Sequence, residues 1–357
     1  MKKASRPLLM MLVWINALSL LLSARIVVSA VVDAPAKGIP EQINRCELSC
    51  ATTVTEKLIM QEKTSNNSKS ADIAKNEANC DDKLIIELID GDKINKITLG
   101  NYLIGVVMSE IPYTFDTEAV KAQAVAARTF TLRTLDSADR HESGRVCTAS
   151  GHCSGYLSYS DYAARYGESA ADSALEKVSA AVRETDGEVL TYDGELCCAV
   201  YHSASSGSTE NSYNLWNTYT PYLTSVSTPE VTADETVIVS YNRAAELLSR
   251  REGYNGKSTV PKIILNDSGR CESVTLLGVT LSAKNARSVF GLKSCDFDVS
   301  CDNDGYVFTV RGYGHGIGLS QYGADALAKE GQDYKAILLH YYSGAELESY
   351  GEYKSGK

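Results

Sequence analysis

The sequence predicts an α+β protein, a single large mixed globular domain with a substrate cleft, preceded by an N-terminal membrane anchor and a polar tether. Three observations predict it. Short apolar runs bounded by Asp-Gly and Gly, as in "KLIIELIDGDKINKITLGNYLIGVV" over 83–107, signal strands and a hairpin turn. An Ala-rich stretch with apolar residues at Val120, Val125, Ala127 and Leu132 signals a helix from Glu118 to about Leu135, capped by Asp116 or Thr117. No internal repeat or composition break divides the chain after residue 82, and 357 residues that are 44% apolar supply a sizeable core.

Residues 1–32 read as an export segment. Lys2, Lys3 and Arg6 precede a run from Leu8 to Leu22 that is apolar except for Asn16 and Ser19, and the run resumes at Ile26 to Val32. An uncleaved single-pass anchor in the cell membrane is the preferred reading; cleavage after "VSA", ending at Ala30, with release of a secreted protein is the alternative. In both, the positive-inside bias places everything after Val32 outside the cytoplasm. Residues 33–82, with "QEKTSNNSKSADIAKNEANCDD", lack a sustained apolar face and read as a tether with a short helix near 54–60.

The domain is expected over 83–350. After the Ala-rich helix come a second helix from Ser169 to Arg183, a hairpin around Asp193-Gly194, a helix from about Arg243 to Arg251, strands up to Val310, a glycine-rich loop and a closing helix over Tyr334 to Tyr342. A formal charge of −10, with no long Lys/Arg block after residue 32, argues against nucleic acid or an anionic polymer as partner. Ten cysteines outside the cytoplasm suggest disulfides, but their pairing cannot be deduced from sequence.

Four segments carry chemistry. In "YLIGVVMSEIPYTFDTEAVKAQAVAARTFTLR", Tyr102 to Arg133, one acid, Glu110, stands between an apolar run and a proline, ahead of a helix whose sparse polar residues include Lys121, Gln123 and Arg128. A surface helix scatters its charges, so this pattern reads as a site, with those three as candidate substrate contacts. In "HESGRVCTASGHC", His141, Cys147, His152 and Cys153 are four borderline or soft ligands that can close a tetrahedral zinc site; a Cys147–Cys153 disulfide is the competing reading. "YHSASSGSTE" groups His202, Ser203, Ser206 and Thr209 in a hydroxyl-rich loop suited to capping or to sugar binding, without a nucleophile elbow. "RGYGHGIGLSQYGA" sets His315 among four glycines, with Gln321 and Tyr322 opening a helix beside it.

Together with the closing "ILLHYYSGAEL", these motifs resemble the stage II sporulation protein D family, which includes lytic transglycosylases and amidase enhancers. The resemblance runs from about Leu84 to Leu347. It implies cleavage of peptidoglycan between N-acetylmuramic acid and N-acetylglucosamine, on strands stripped of stem peptides, leaving 1,6-anhydro ends during engulfment in sporulation. It assigns catalysis to Glu110 and a structural zinc to His141, Cys147, His152 and Cys153. It also implies the sporulation amidase/endopeptidase and the membrane scaffold of the engulfment machinery as partners. Ser206-Gly207 departs from the Gly-Gly frequent in the family, which puts the geometry of that loop in question. One carboxyl suffices for a transglycosylase: it protonates the glycosidic oxygen, then accepts the proton of the attacking C6 hydroxyl. Burial against Val106, Val107 and Ile111 is expected to raise its pKa from roughly 4.3. Two other readings compete, a non-catalytic glycan-binding enhancer of a cell-wall amidase and, last, a zinc hydrolase.

Overall fold

The computed structural model describes residues 80–137, 141, 144–149, 151–257 and 260–355. The expected anchor, the tether up to residue 79, Cys46, Cys50 and the helix near 54–60 lie outside them. No described helix is long and apolar enough to cross a membrane. The described elements form a mixed α+β domain.

The chain enters at a short helix, α1 (Cys80–Lys83), whose Asp81 is 3% exposed. The folded part therefore begins before Asp82, where the tether was expected to end. Strands β1 (Ile85–Asp90) and β2 (Lys93–Thr98) form the expected hairpin, and Gly91 turns it at a φ of +58°. The next segment departs from expectation. "YLIGVV" reads as a strand, but Leu99–Glu110 is helix α2, started by Thr98, whose hydroxyl accepts from Asn101 N. Every residue from Tyr102 to Met108 in it is buried. A helix buried on all sides has no polar face, so its sequence carries no 3.6-residue rhythm.

Helix α3 (Thr117–Asp136) matches its expected bounds and takes Asp116 as N-cap. Strand β3 (Arg145–Cys147) lies parallel beside β1. Helix α4 (Tyr159–Tyr166) was not foreseen; α5 (Glu168–Glu184) was, within a residue at each end. The hairpin of β4 (Glu188–Tyr192) and β5 (Glu195–Leu196) turns at Asp193 and Gly194, both at positive φ. Strand β6 (Tyr201–His202), α6 (Ser212–Trp216), β7 (Glu235–Ser240), α7 (Tyr241–Leu248), β8 (Lys262–Leu265), β9 (Cys271–Leu276), β10 (Val279–Ser282), α8 (Ala283–Phe290), β11 (Asp296–Cys301) and β12 (Gly305–Arg311) follow. Then come β13 (Leu319–Ser320), α9 (Gln321–Lys329), α10 (Tyr334–Tyr341), β14 (Glu346–Ser349) and α11 (Tyr350–Ser355).

Two apolar cores result. The first gathers α2, α3, α5, β4 and α10, with Leu103, Val106, Val107, Val120 and Val125 at 0–1% exposure. The second lies within residues 239–310, where the sheets β7-β12-β11 and β8-β9-β10 enclose Val274, Leu276, Phe297 and Phe308. Among the described residues no disulfide joins any two of the eight cysteines, and the burial of these two cores stabilises the fold.

Candidate active site and adjoining metal cluster

Glu110 is the last residue of α2, where Ile111 turns the backbone to an extended conformation and Pro112 follows. Its side chain is half-buried. Gly155 N donates to Oε1 at 2.7 Å, and the Gln321 side chain is a second hydrogen-bond partner. Burial raises the Glu110 pKa, opposed by these two bonds. Its place at a helix C-terminus, where the macrodipole is negative, works in the same direction as burial.

The groups around it are neutral. Tyr201 donates to Ser154 Oγ at 2.8 Å, and burial, then the charge of Glu110, push its own pKa well up. Gln321 is 4% exposed, whereas its neighbour Tyr322 is 47% exposed and packs edge-on against Phe115, at 4.8 Å between ring centres. Asp325 further along α9 accepts from Asp116 N at 2.7 Å. Helix α9 is thereby fastened to the segment that leaves Glu110.

Several expected substrate contacts are committed elsewhere. Arg128 is fully buried, and its guanidinium binds both Asp81 oxygens, the carbonyls of Val182 and Glu188, and Thr185 Oγ1, which leaves no donor for a sugar. It is a structural anchor. Lys121 sits between Glu118 at 2.9 Å and Glu184 at 2.7 Å and ties α3 to α5. Gln123 is fully buried and reaches Glu110 only through Gln321. Thr209 is fully buried and exchanges hydrogen bonds with the Val226 backbone.

The two central histidines are also spent on the fold. His202 Nδ1 faces Ile317 O at 3.2 Å and Nε2 meets Ser205 Oγ at 2.6 Å. His315 Nδ1 accepts from Ile317 N, and its ring also bonds the Tyr201 carbonyl. Burial lowers both, His315 to about 4, so both are neutral near pH 7. The glycines let the loop lie against the strand before it. A Cβ on Gly314, at φ +112°, would stand 2.8 Å from His202 Cβ, and one on Gly318 would collide with Val200 O. Ser203 and Ser206 remain half-buried with hydroxyls near this surface. The positive φ falls on Gly207 and not on Ser206, so a serine at 206 leaves the turn unstrained.

Sequence reasoning missed Glu230. Its carboxylate takes Ser205 N at 2.8 Å, Ser320 Oγ at 2.5 Å and Thr228 Oγ1, joining the histidine loop to the start of α9. It also missed Tyr201, Ser154 and the Gly155 amide.

The four expected ligands do come together. One donor atom from each of His141, Cys147, His152 and Cys153 lies within 4.8 Å of all the others. His152 Nδ1 stands 3.6 Å from Cys147 Sγ and 3.8 Å from Cys153 Sγ. Tetrahedral zinc, with Zn–S of roughly 2.3 Å and Zn–N of roughly 2.0 Å, separates its ligands by about 3.3–3.8 Å. The donor set and spacing fit a metal ion such as zinc, and the two thiols are not joined to each other. Cys153 is followed directly by Ser154 and Gly155, so the cluster and the Glu110 site share one loop.

Fold and site define a mixed α+β protein built around one carboxyl whose partners are all uncharged. Residues 90–192 match the family model SpoIID, Stage II sporulation protein. The chain is 36% identical to stage II sporulation protein D of Bacillus subtilis (strain 168) over 259 residues, 71% of this chain and 75% of that protein. It is 34% identical to the Bacillus amyloliquefaciens protein of the same name, with the same coverage. A more distant likeness, 26% over 304 residues, links it to the amidase enhancer of B. subtilis, covering 69% of this chain and 40% of that protein. The chain belongs to the SpoIID family of sporulation proteins.

Proposed function

We propose that the protein is a peptidoglycan lytic transglycosylase that cleaves peptide-stripped glycan strands between N-acetylmuramic acid and N-acetylglucosamine during sporulation. The observation that carries this reading is Glu110, half-buried with its pKa raised and no cation among the partners that set it. Such a carboxyl holds a proton to higher pH than an ordinary glutamate and can give it to the glycosidic oxygen. The resulting carboxylate then takes the proton of the C6 hydroxyl as that oxygen closes on the anomeric carbon, so no water nucleophile and no second carboxylate are needed. Tyr322, with Ser203 and Ser206, supplies an exposed ring and hydroxyls for sugar contact.

Zinc would be held by His141, Cys147, His152 and Cys153. With all four positions taken by protein it would staple the loop and leave no site for water. An anchor in residues 1–32, a tether after it, an extracytoplasmic catalytic domain from Cys80 to about residue 350, and work alongside an amidase and a membrane scaffold complete the proposal.

The likeness to an amidase enhancer favours a second reading, in which Glu110 is a glycan contact. The test is digestion of amidase-stripped strands by the full chain and by Glu110→Ala, with products identified by mass. Anhydro ends that vanish in the variant support the transglycosylase. Binding without cleavage, with stimulation of an amidase, supports the enhancer.

A further inference from the structure

Gln123 poses a problem that its packing does not answer. The side chain is fully buried on α3, its Oε1 accepts from Gln321 Nε2 at 3.3 Å, and its own Nε2 has no partner. Buried amide donors are normally satisfied, so an open one calls for an explanation. Gln321, almost as buried, joins the pair to Glu110.

We propose that the Gln123–Gln321 amide pair is a two-position relay that matches whichever protonation state Glu110 is in. As a carboxylate Glu110 only accepts, and this arrangement suits it: Gln321 Nε2 donates to Gln123 Oε1 at 3.3 Å, and the same amide group acts on Glu110 as a donor that favours its charged form. As an acid Glu110 must also donate. Oε1 is held as an acceptor by the Gly155 N–H, so the proton belongs on Oε2, which then requires an acceptor. A half-turn of the Gln321 amide presents its oxygen to that proton. A matching half-turn of Gln123 offers its Nε2, the atom now open, to the second lone pair of the same oxygen. Terminal amide torsions have broad, nearly two-fold wells, so both half-turns are accessible without moving the backbone.

A fixed cation here would favour the carboxylate, and a fixed carbonyl would favour the acid. A reversible amide favours neither, which suits a group that must give up one proton and take another in each turnover. The ionisable side chain coupled to Glu110, Tyr201, is held neutral by burial and donates to Ser154. It imposes no charge on the exchange. Gln123 and Gln321 are thus positioning residues.

The inference rests on Glu110 acting as acid and base, so the experiment reads the pair separately from cleavage. In the full chain, the infrared carbonyl stretch of protonated Glu110, assigned by its absence in Glu110→Gln, is compared among wild type, Gln123→Met, Gln321→Met and the double variant. The same four proteins are assayed on peptide-stripped glycan strands across pH. The expected result is a stretch that moves to higher frequency in Gln123→Met and further in Gln321→Met. With it, kcat falls about tenfold in Gln123→Met, KM is unchanged, and the double variant is no worse than Gln321→Met alone. Folding is not expected to be lost, since Gln123→Met conserves length and removes an open donor; Gln123→Leu serves as a second variant. An unmoved stretch in both Gln123 variants, or losses that simply add in the double variant, overturns the relay. If Glu110→Gln cleaves as wild type does, the transglycosylase reading falls and the stretch alone decides the relay.

Discussion

Among the buried polar residues of helix α3, Gln123 and Arg128 stand five positions apart and differ in one respect. Every direction in which Arg128 can donate is met by Asp81, Thr185 or a backbone carbonyl, whereas Gln123 leaves a nitrogen open and leads to a half-buried acid. Both read as substrate ligands in the sequence. The closed node is finished once folding is finished; the open one still has a hydrogen bond to make. Satisfaction of donors separates the two roles where residue type does not.

The contrast is sharpest under mutation. Glu110→Gln, at the open node, is expected to lower the cleavage rate by about 10²–10⁴-fold with folding retained, measured as anhydro-end formation. Asp81→Ala, at the closed node, is expected to cost about 3–5 kcal/mol in chemical denaturation, because it strands a guanidinium at 0% exposure, while kcat well below the melting range stays unchanged. A fall in kcat with stability intact would break the distinction. Chelation, acting on the loop that supplies the Gly155 amide, is expected to release one metal equivalent, expose residues 141–153 to protease and lower kcat by about tenfold.

Smaller effects follow from pH. The raised pKa of Glu110 means that the folded state holds its proton to higher pH than the unfolded chain, so stability declines as pH rises from the ordinary glutamate value through the folded one. Glu110→Gln should flatten that decline in melting scans. His315 has the opposite sign. Lowered to about 4, it leaves the unfolded chain binding the extra proton, so stability falls as pH drops from roughly 6.5 toward 4. Substitution by Asn should reduce that loss. Lys121→Ala is expected to cost about 0.2–1 kcal/mol and to leave KM unchanged, since its ammonium is occupied by two carboxylates.

Much of this was legible in the sequence, for reasons that differ by residue. Helix α3 announced itself through Asp116 and its apolar spacing, and Glu110 through its isolation. The His/Cys cluster that could hold a metal was visible because soft donors crowd one short loop. Helix α2 was hidden by its complete burial. The Gly155 amide was hidden because a backbone donor leaves no mark on residue identity. Glu230 sits in "STPEVTADE", which has the composition of a surface turn, yet it is 8% exposed and binds three donors. Asp81 lay in a segment that reads as tether, 47 residues from the arginine it neutralises. His202 and His315 drew attention as ligands and proved to hold the glycine-rich loop.

The junction at α1 has a mechanical consequence. Cys80 N and Asp81 N both bond the Asp186 carboxylate, at 2.7 and 2.9 Å, while the Asp81 side chain grips Arg128. A pull arriving along the chain from its N-terminal side meets these bonds together and not one after another, and the load passes directly into α3 and the turn after α5. The hairpin of β1 and β2, which follows α1 in the chain, is shielded from peeling. A load applied at Cys80 is therefore taken up by α3 and the turn after α5 before it can reach the β1–β2 hairpin.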